Sequence, residues 1–353
     1  MSWKVSEYED NDLNGMISIT KENYGDIEIS NEDFLDWQYF NNPAGNALIK
    51  LAKSKSNEVV GQYIIIPMKF KVDKDVINST LSLNTLTRKD YRGKGIFTGL
   101  ANDIYSQCQE EGIEFTYGFP NPNSYPGFIK KLGFTDLGEI PLMLFPLNIE
   151  NLVLKKFNIK WLSKISGVFQ KLFNISSKKT SEIELKHINN NFEDFNDFWE
   201  NIKDKYKVIG IRNSEYISWR YNNVPLRNYK VIGAYRNKRL SGYIVLRNTN
   251  IEQFKCGMIV DFIIKEGDKE SGISLLSEAC KIFNNDNMEL VGCLMNNSTE
   301  EYKLLKNCSF YRCPKFLEPQ PFKVIYRNHL NKENKDLNDI NDWFLTMGDY
   351  DVI

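Results

Sequence analysis

Arg92-Gly93-Lys94-Gly95-Ile96-Phe97 is the stretch on which the fold turns. The run before it, Leu81-Ser82-Leu83-Asn84-Thr85-Leu86-Thr87, alternates and is rich in β-prone residues, which predicts a strand. After it, Ile96, Phe97, Leu100, Ala101, Ile104, Tyr105 and Cys108 recur at helical spacing and make one apolar face. Gly112 stands where a helix C-terminus belongs. A strand, a basic glycine turn and a helix N-terminus together make an anion site. The first helical turn leaves N–H groups unpaired at the positive end of the macrodipole. Gly93 and Gly95 remove side chains that would hold a phosphate off the backbone, and Arg92 and Lys94 add mobile charge. The bland alternative is a solvated basic turn. The glycine spacing does not fit a dinucleotide fingerprint, and the Walker A spacing is absent.

A second strand is predicted at Phe115-Thr116-Tyr117-Gly118-Phe119, and a turn cluster at Pro120-Asn121-Pro122-Asn123-Ser124. A short helix then ends in Gly133-Phe134. Over roughly residues 60–145 the chain resembles the GNAT acyltransferases. Arg92 and Gly95 match that family's motif R-x-x-G-x-G/A, with Phe97 where Gly or Ala is usual. The Gly133-Phe134 helix resembles its second motif, Y-x-x-x-G-F, with Ile129 in place of the Tyr that often serves as general acid. The resemblance implies that the two strands splay and that the pantetheine arm of CoA enters between them. It assigns CoA binding to Leu86, Thr87, Arg92, Gly93, Lys94, Gly95, Ile96 and Phe97, with Asn121 and Asn123 beside the second strand. Asn84 and Thr85 would floor the reaction centre. Tyr125, or its neighbour Tyr117, would replace the missing acid, since a phenol can reprotonate a departing thiolate. A tyrosine in either place is more often just an aromatic packing residue.

An internal repeat predicts the architecture. Asn31-Glu32-Asp33-Phe34-Leu35-Asp36-Trp37-Gln38-Tyr39 aligns with Asn213-Ser214-Glu215-Tyr216-Ile217-Ser218-Trp219-Arg220-Tyr221 at an offset of 182. Pro43 and Pro225, then Asn46 and Asn228, keep that offset. Both copies run on into a strand holding a glycine, Gly61 or Gly242, and Gly133-Phe134 has a counterpart in Ser309-Phe310. The expected fold is therefore α/β: two tandem GNAT-like units, each a twisted mixed β-sheet flanked by helices. The expected division is an acyl-CoA-binding domain at 1–150, a linker helix at 151–180 and a degenerate unit at 181–353. In the second unit the turn reads Lys265-Glu266-Gly267-Asp268-Lys269-Glu270-Ser271-Gly272. Its three carboxylates oppose a pyrophosphate. Leu152 to Lys179 holds seven lysines and no acid, which suits a basic amphipathic helix packed within the protein or lying on an anionic surface. The closing stretch around Trp343 and Phe344 is expected to dock, with Asp349 or Asp351 near an acceptor or simply solvated.

Composition narrows the partners. The 353 residues carry a net charge of −1, so no field favours nucleic acid as a bulk partner. The start lacks the apolar core of a signal peptide, and no run is long enough for a membrane helix. The six cysteines form no C-x-x-C pair and read as reduced thiols of a cytoplasmic protein. His187 and His329 have no ligand-spaced neighbours, so neither zinc nor triad chemistry is expected. The resemblance then implies transfer of an acetyl group from acetyl-CoA, without a metal, to a small-molecule primary amine. A nucleotide- or lipid-linked amino sugar of a surface-polysaccharide pathway is the bulky candidate. Two readings compete: an aminoacyl transferase like those that build peptide bridges from aminoacyl-tRNA, and an acyl-CoA-binding module without catalysis.

Overall fold

Helix Ile96–Glu110 buries the face its spacing predicts: Ile96, Leu100, Ala101, Ile104, Tyr105 and Cys108 all lie in one cluster with Val60, Tyr63 and Ile65 of a neighbouring strand. The computed structural model in which this is seen describes residues 2–150, 152, 182–330 and 337–350. The chain forms two units, one of Met1–Glu139, Asn223–Arg227 and Gln320–Asp339, the other of Ile140–Asn222, Asn228–Pro319 and Ile340–Ile353.

In chain order, the first unit begins with strands Trp3–Glu7 (β1), Leu48–Ser54 (β2), Val59–Val72 (β3), Asp75–Thr87 (β4), Phe115–Gly118 (β5) and Thr135–Glu139 (β6). Its helices are Leu13–Tyr24 (α1), Glu32–Tyr39 (α2), Ile96–Glu110 (α3) and Tyr125–Lys131 (α4). β1 to β4 pair antiparallel in order, and β5 lies parallel to β4. A parallel pair needs a crossover, which α3 supplies. α3 packs on β2, β3 and β4, while α1 packs on β3 and β4. The α3 C-terminus is closed by Gly112 at φ +70, and the Ile113 N–H reaches back to the Cys108 carbonyl at 2.9 Å.

The second unit contains Leu142–Pro146 (β7), Ile183–Ile188 (β8), Val208–Gly210 (β9), Lys230–Arg236 (β10), Arg239–Ile251 (β11), Phe254–Ile264 (β12), Leu290–Leu294 (β13) and Tyr311–Arg312 (β14). Its helices are Asp194–Ile202 (α5), Ser214–Ile217 (α6), Lys269–Asn285 (α7) and Glu300–Asn307 (α8). The sheet order is β14-β7-β13-β12-β11-β10-β8, with β12 and β13 parallel. Lys323–Asn328 (β15) belongs to the first unit, where it pairs antiparallel with both β5 and β6. Trp343–Phe344 (β16) pairs parallel with β9 in the second unit.

The units therefore do not follow the cuts expected at 150 and 181. β7, expected in the first domain, is a strand of the second sheet, and β15, expected in the second, completes the first. The basic stretch Leu152–Lys179 lies outside the described residues save for Leu152, and Asp351 lies outside them too.

The repeat is visible in its caps. Asn31 Oδ1 accepts the Phe34 N–H at the start of α2, and Asn213 Oδ1 accepts the Tyr216 N–H at the start of α6. Gly133 (φ +68) and Ser309 (φ +64) both turn left-handed before an aromatic residue.

Candidate active site

The parallel register of β4 and β5 runs from Ser79 and Phe115 to Ser82 and Gly118, and stops there. β4 continues to Thr87 paired with β3 alone. Among the described residues, the β4 backbone from Leu83 to Thr87 has no strand beside it on the β5 side. Peptide groups on such an edge are open to a ligand that can pair with them.

This edge is bent by a bulge. Ile64 pairs with Leu83 and Gln62 with Leu86, so Asn84 and Thr85 together face Tyr63. Asn84 takes φ +48, a left-handed conformation that asparagine tolerates better than most residues. Three side chains hold it. Gln62 Nε2 donates to the Asn84 carbonyl at 2.9 Å. Asn84 Nδ2 donates to Gln38 Oε1 at 2.9 Å and to the Tyr39 hydroxyl at 2.8 Å. Gln38, Tyr39 and Gln62 are buried, whereas Asn84 is half-buried. Gln62 Oε1 is buried with no protein donor.

The turn beyond β4 keeps the geometry of an anion cradle. Gly93 and Gly95 lie at φ +75 and +77, and Gly95 caps α3 without any side-chain hydrogen bond. A Cβ at Gly93 would meet nothing within 4 Å, and one at Gly95 only the Thr98 hydroxyl, at 4.0 Å. The Gly99 N–H bonds to the Gly95 carbonyl, so the N–H groups of the preceding turn are those a helix start leaves without partners. Arg92 is exposed and donates from Nη2 to Asn23 Oδ1 at 2.8 Å. Lys94 donates to the Asp90 carbonyl at 2.6 Å and lies over the Tyr91 ring. Trp3 Nε1 fixes the turn from behind through the Lys94 carbonyl at 3.0 Å. Gly99 is explained by the same residue: a Cβ there would sit 2.6 Å from Trp3 Cη2.

The other expected residues fall around this core. Ile96 and Leu86 are buried, so only their backbones can face a ligand. Phe97 packs on Tyr63 and Phe128, and Ile129 packs on the same cluster. Asn121 Oδ1 accepts the N–H groups of Asn123 and Ser124 at 3.0 Å, shaping the turn after β5. Thr85 is half-buried beside Asn84, and its hydroxyl donates to the Leu83 carbonyl at 3.5 Å. Tyr117 is wholly buried among Phe70, Phe115 and Phe119. Tyr125 donates its hydroxyl to Asp136 Oδ2 at 2.7 Å, and this bond raises the phenol above its ordinary value. Trp3, Asn23 and Gln62 carried no motif signal, because each acts through a partner distant in sequence, and Gln38 and Tyr39 showed only as part of the internal repeat.

The second unit repeats the crevice and fills it. Pairing of β12 and β13 stops at Ile259 and Cys293, while β12 runs on to Ile264. Thr346 bridges to Met295 just past β13 and donates its hydroxyl to Asp261 Oδ1 on β12 at 3.1 Å. Asp349 Oδ2 takes Arg212 Nη2 at 2.6 Å and the Thr346 N–H at 2.9 Å. Arg212, Asp261 and Asp349 are all buried. Glu301 of α8 accepts the Ile264 N–H at 3.1 Å. At the start of α7, Asp268 accepts the Ser271 N–H at 3.2 Å and pairs with Arg236.

Residues 4–136 match the model of the Acetyltransferase (GNAT) domain family. The matched residues lie within the first unit. The whole fold is similar to a GCN5-related N-acetyltransferase from Anabaena variabilis, at 11% identity and TM-score 0.64, over 93% of this chain and 73% of that one. It is similar to a probable N-acyltransferase from Enterococcus faecalis, at 10% identity and TM-score 0.61, over 93% of this chain and 73% of that one. It is also similar to Saccharomyces cerevisiae N-myristoyltransferase with bound myristoyl-CoA, at 12% identity and TM-score 0.61, over 92% and 82%. No curated protein matches the chain. The fold is a tandem GNAT-like one, mixed α/β, with two sheets. Among the described residues, no helix is long and apolar enough to cross a membrane, and no cluster of side chains is suited to a metal ion.

Proposed function

We propose that the protein is an acyl-CoA-dependent N-acyltransferase that moves an acyl group, in the simplest case acetyl from acetyl-CoA, to a primary amine. The observation that carries this reading is the coincidence, in the first unit, of an open β4 edge, a bulge at Asn84–Thr85 and an uncapped glycine turn at the start of α3. The residues present fit CoA: the turn has room at Gly93 and Gly95, and Arg92 and Lys94 stand beside it. Bound acyl-CoA would supply a thioester, an activated acyl carbon with a good leaving group.

The chain's own residues would then act as follows. The α3 N-terminus, Arg92 and Lys94 hold the pyrophosphate. The β4 edge, from Leu83 to Thr87, pairs with the pantetheine amides. Backbone N–H groups at the bulge polarise the thioester carbonyl. Tyr125, kept in its acid form by its bond to Asp136, is the candidate proton donor to the departing thiolate. A water chain or a carboxylate removes the amine proton. An amino sugar on a nucleotide or lipid carrier suits a tandem architecture, by analogy of fold. Six free, buried cysteines support a reducing compartment such as the cytoplasm.

The test is thermal stability with acetyl-CoA for wild type and Arg92→Glu. A shift in wild type that is absent from the variant supports the cradle. Screening amines for CoA thiol release then separates the enzyme from a binding module, which would bind and release nothing. No shift in either protein, with tRNA binding instead, would favour the aminoacyl-transferase reading.

A further inference from the structure

The clamp on the bulge is polar where an acyl chain must end. Asn84 is tied to Gln38 and Tyr39 on α2 and to Gln62 on β3, and no hydrocarbon side chain takes part in these bonds. Asn84 is half-buried and its three partners are buried, so the clamp is approached through Asn84. Gln62 adds a second feature. Its Nε2 must face the Asn84 carbonyl, which fixes the amide orientation. Its Oε1 is therefore held as an acceptor, and it is buried with no donor from the protein. A buried acceptor of this kind is costly unless something donates to it.

We propose that the Gln62–Asn84–Gln38–Tyr39 clamp is an acyl-recognition subsite selecting a short acyl group that carries a hydroxyl, donated to Gln62 Oε1. The proposal deepens the acyl-CoA reading and rests on it. A site built to bond a substrate hydroxyl discriminates strongly against the analogue without one, because its own polar group is then left unpaired. A long hydrocarbon chain gains nothing from these amides and this phenol.

The experiment is isothermal titration with CoA and with two pairs of donors that differ by one hydroxyl: propionyl-CoA with lactoyl-CoA, and butyryl-CoA with 3-hydroxybutyryl-CoA. In wild type, the hydroxylated member of at least one pair is expected to bind about tenfold tighter or better. In Gln62→Met, of nearly the same shape, that gap should close to within about twofold, each affinity being taken relative to the variant's own affinity for CoA. A purely structural role for Gln62 would weaken all ligands together and leave the gap standing. Equal affinities within both pairs, with CoA still bound, overturn the proposal and leave the acyl-CoA reading intact. No binding of CoA itself overturns both. The wild-type pairs alone decide if the variant does not fold.

Discussion

The two units hold the same crevice in opposite states of satisfaction. In the first, α3 starts at a glycine without a side-chain cap, and β4 runs past its parallel partner with no strand beside it among the described residues. In the second, α7 starts at Asp268, whose carboxylate takes the N–H that an anion would take. There the overhang of β12 meets Glu301, Lys205 and the Thr346–Asp349 segment. Both are helix N-termini beside splayed parallel strands, so the backbone alone does not make a ligand site. What differs is whether the chain provides the negative charge and the edge partners itself.

The largest effect that can break this comparison is expected at Arg212. Arg212→Ala leaves the carboxylates of Asp261 and Asp349 buried without their guanidinium. Breaking such a pair costs about 3–5 kcal/mol, read as a fall in urea stability. A loss below about 1 kcal/mol would mean that the segment is not held there by charge.

Acidification gives a separate handle on the first unit. His329, bonded through Nε2 to Thr116 at 2.7 Å, has its pKa lowered from 6.5 to about 4 by burial and then by Arg327. The folded protein binds fewer protons than the unfolded chain between these values. Its stability is therefore full above pH 6.5 and falls as the pH drops towards 4, by roughly 3 kcal/mol in all. His329→Gln should flatten this acid slope in a pH series of melting curves. An unchanged slope would assign it to other groups.

Next comes the cradle. Acetyl-CoA at a hundred times its Kd should stabilise wild type by about 2.7 kcal/mol, and Arg92→Glu should lose that gain. The smallest effect is expected at Asp268. Asp268→Ala removes a cap worth about 1 kcal/mol and should not create a second acetyl-CoA site, because Thr346–Asp349 still fills the crevice. A stoichiometry of two by titration would show that the carboxylate alone had closed it.

Much of this contrast was legible in the chain. The spacing from Ile96 to Cys108 gave α3, and the matched Asn31 and Asn213 proved to be the caps of α2 and α6. The acidic turn at 265–272 gave Asp268 its place. Other features carried no local signal. A five-residue apolar strand such as Leu142–Pro146 reads the same in either sheet, so the exchange of β7 and β15 was invisible. The bulge sits on an asparagine, not a glycine, and shows only as a register shift. Gly99 is needed because Trp3, 96 positions earlier, packs against it, which no local pattern shows. Arg212 and Asp349 are 137 positions apart, and only the fold brings them together.

The placement of β15 has a consequence for biosynthesis. β5 and β6 do not pair with each other; each pairs with Lys323–Asn328. Asn328 emerges 189 residues after Glu139 (328 − 139), which at about 5–20 residues per second is roughly ten to forty seconds of translation. Through that interval the nascent first unit carries two unpaired strand edges, each a template for wrong pairing. A fragment ending at residue 150 would carry them permanently, so the first sheet is complete only once Lys323–Asn328 has been made.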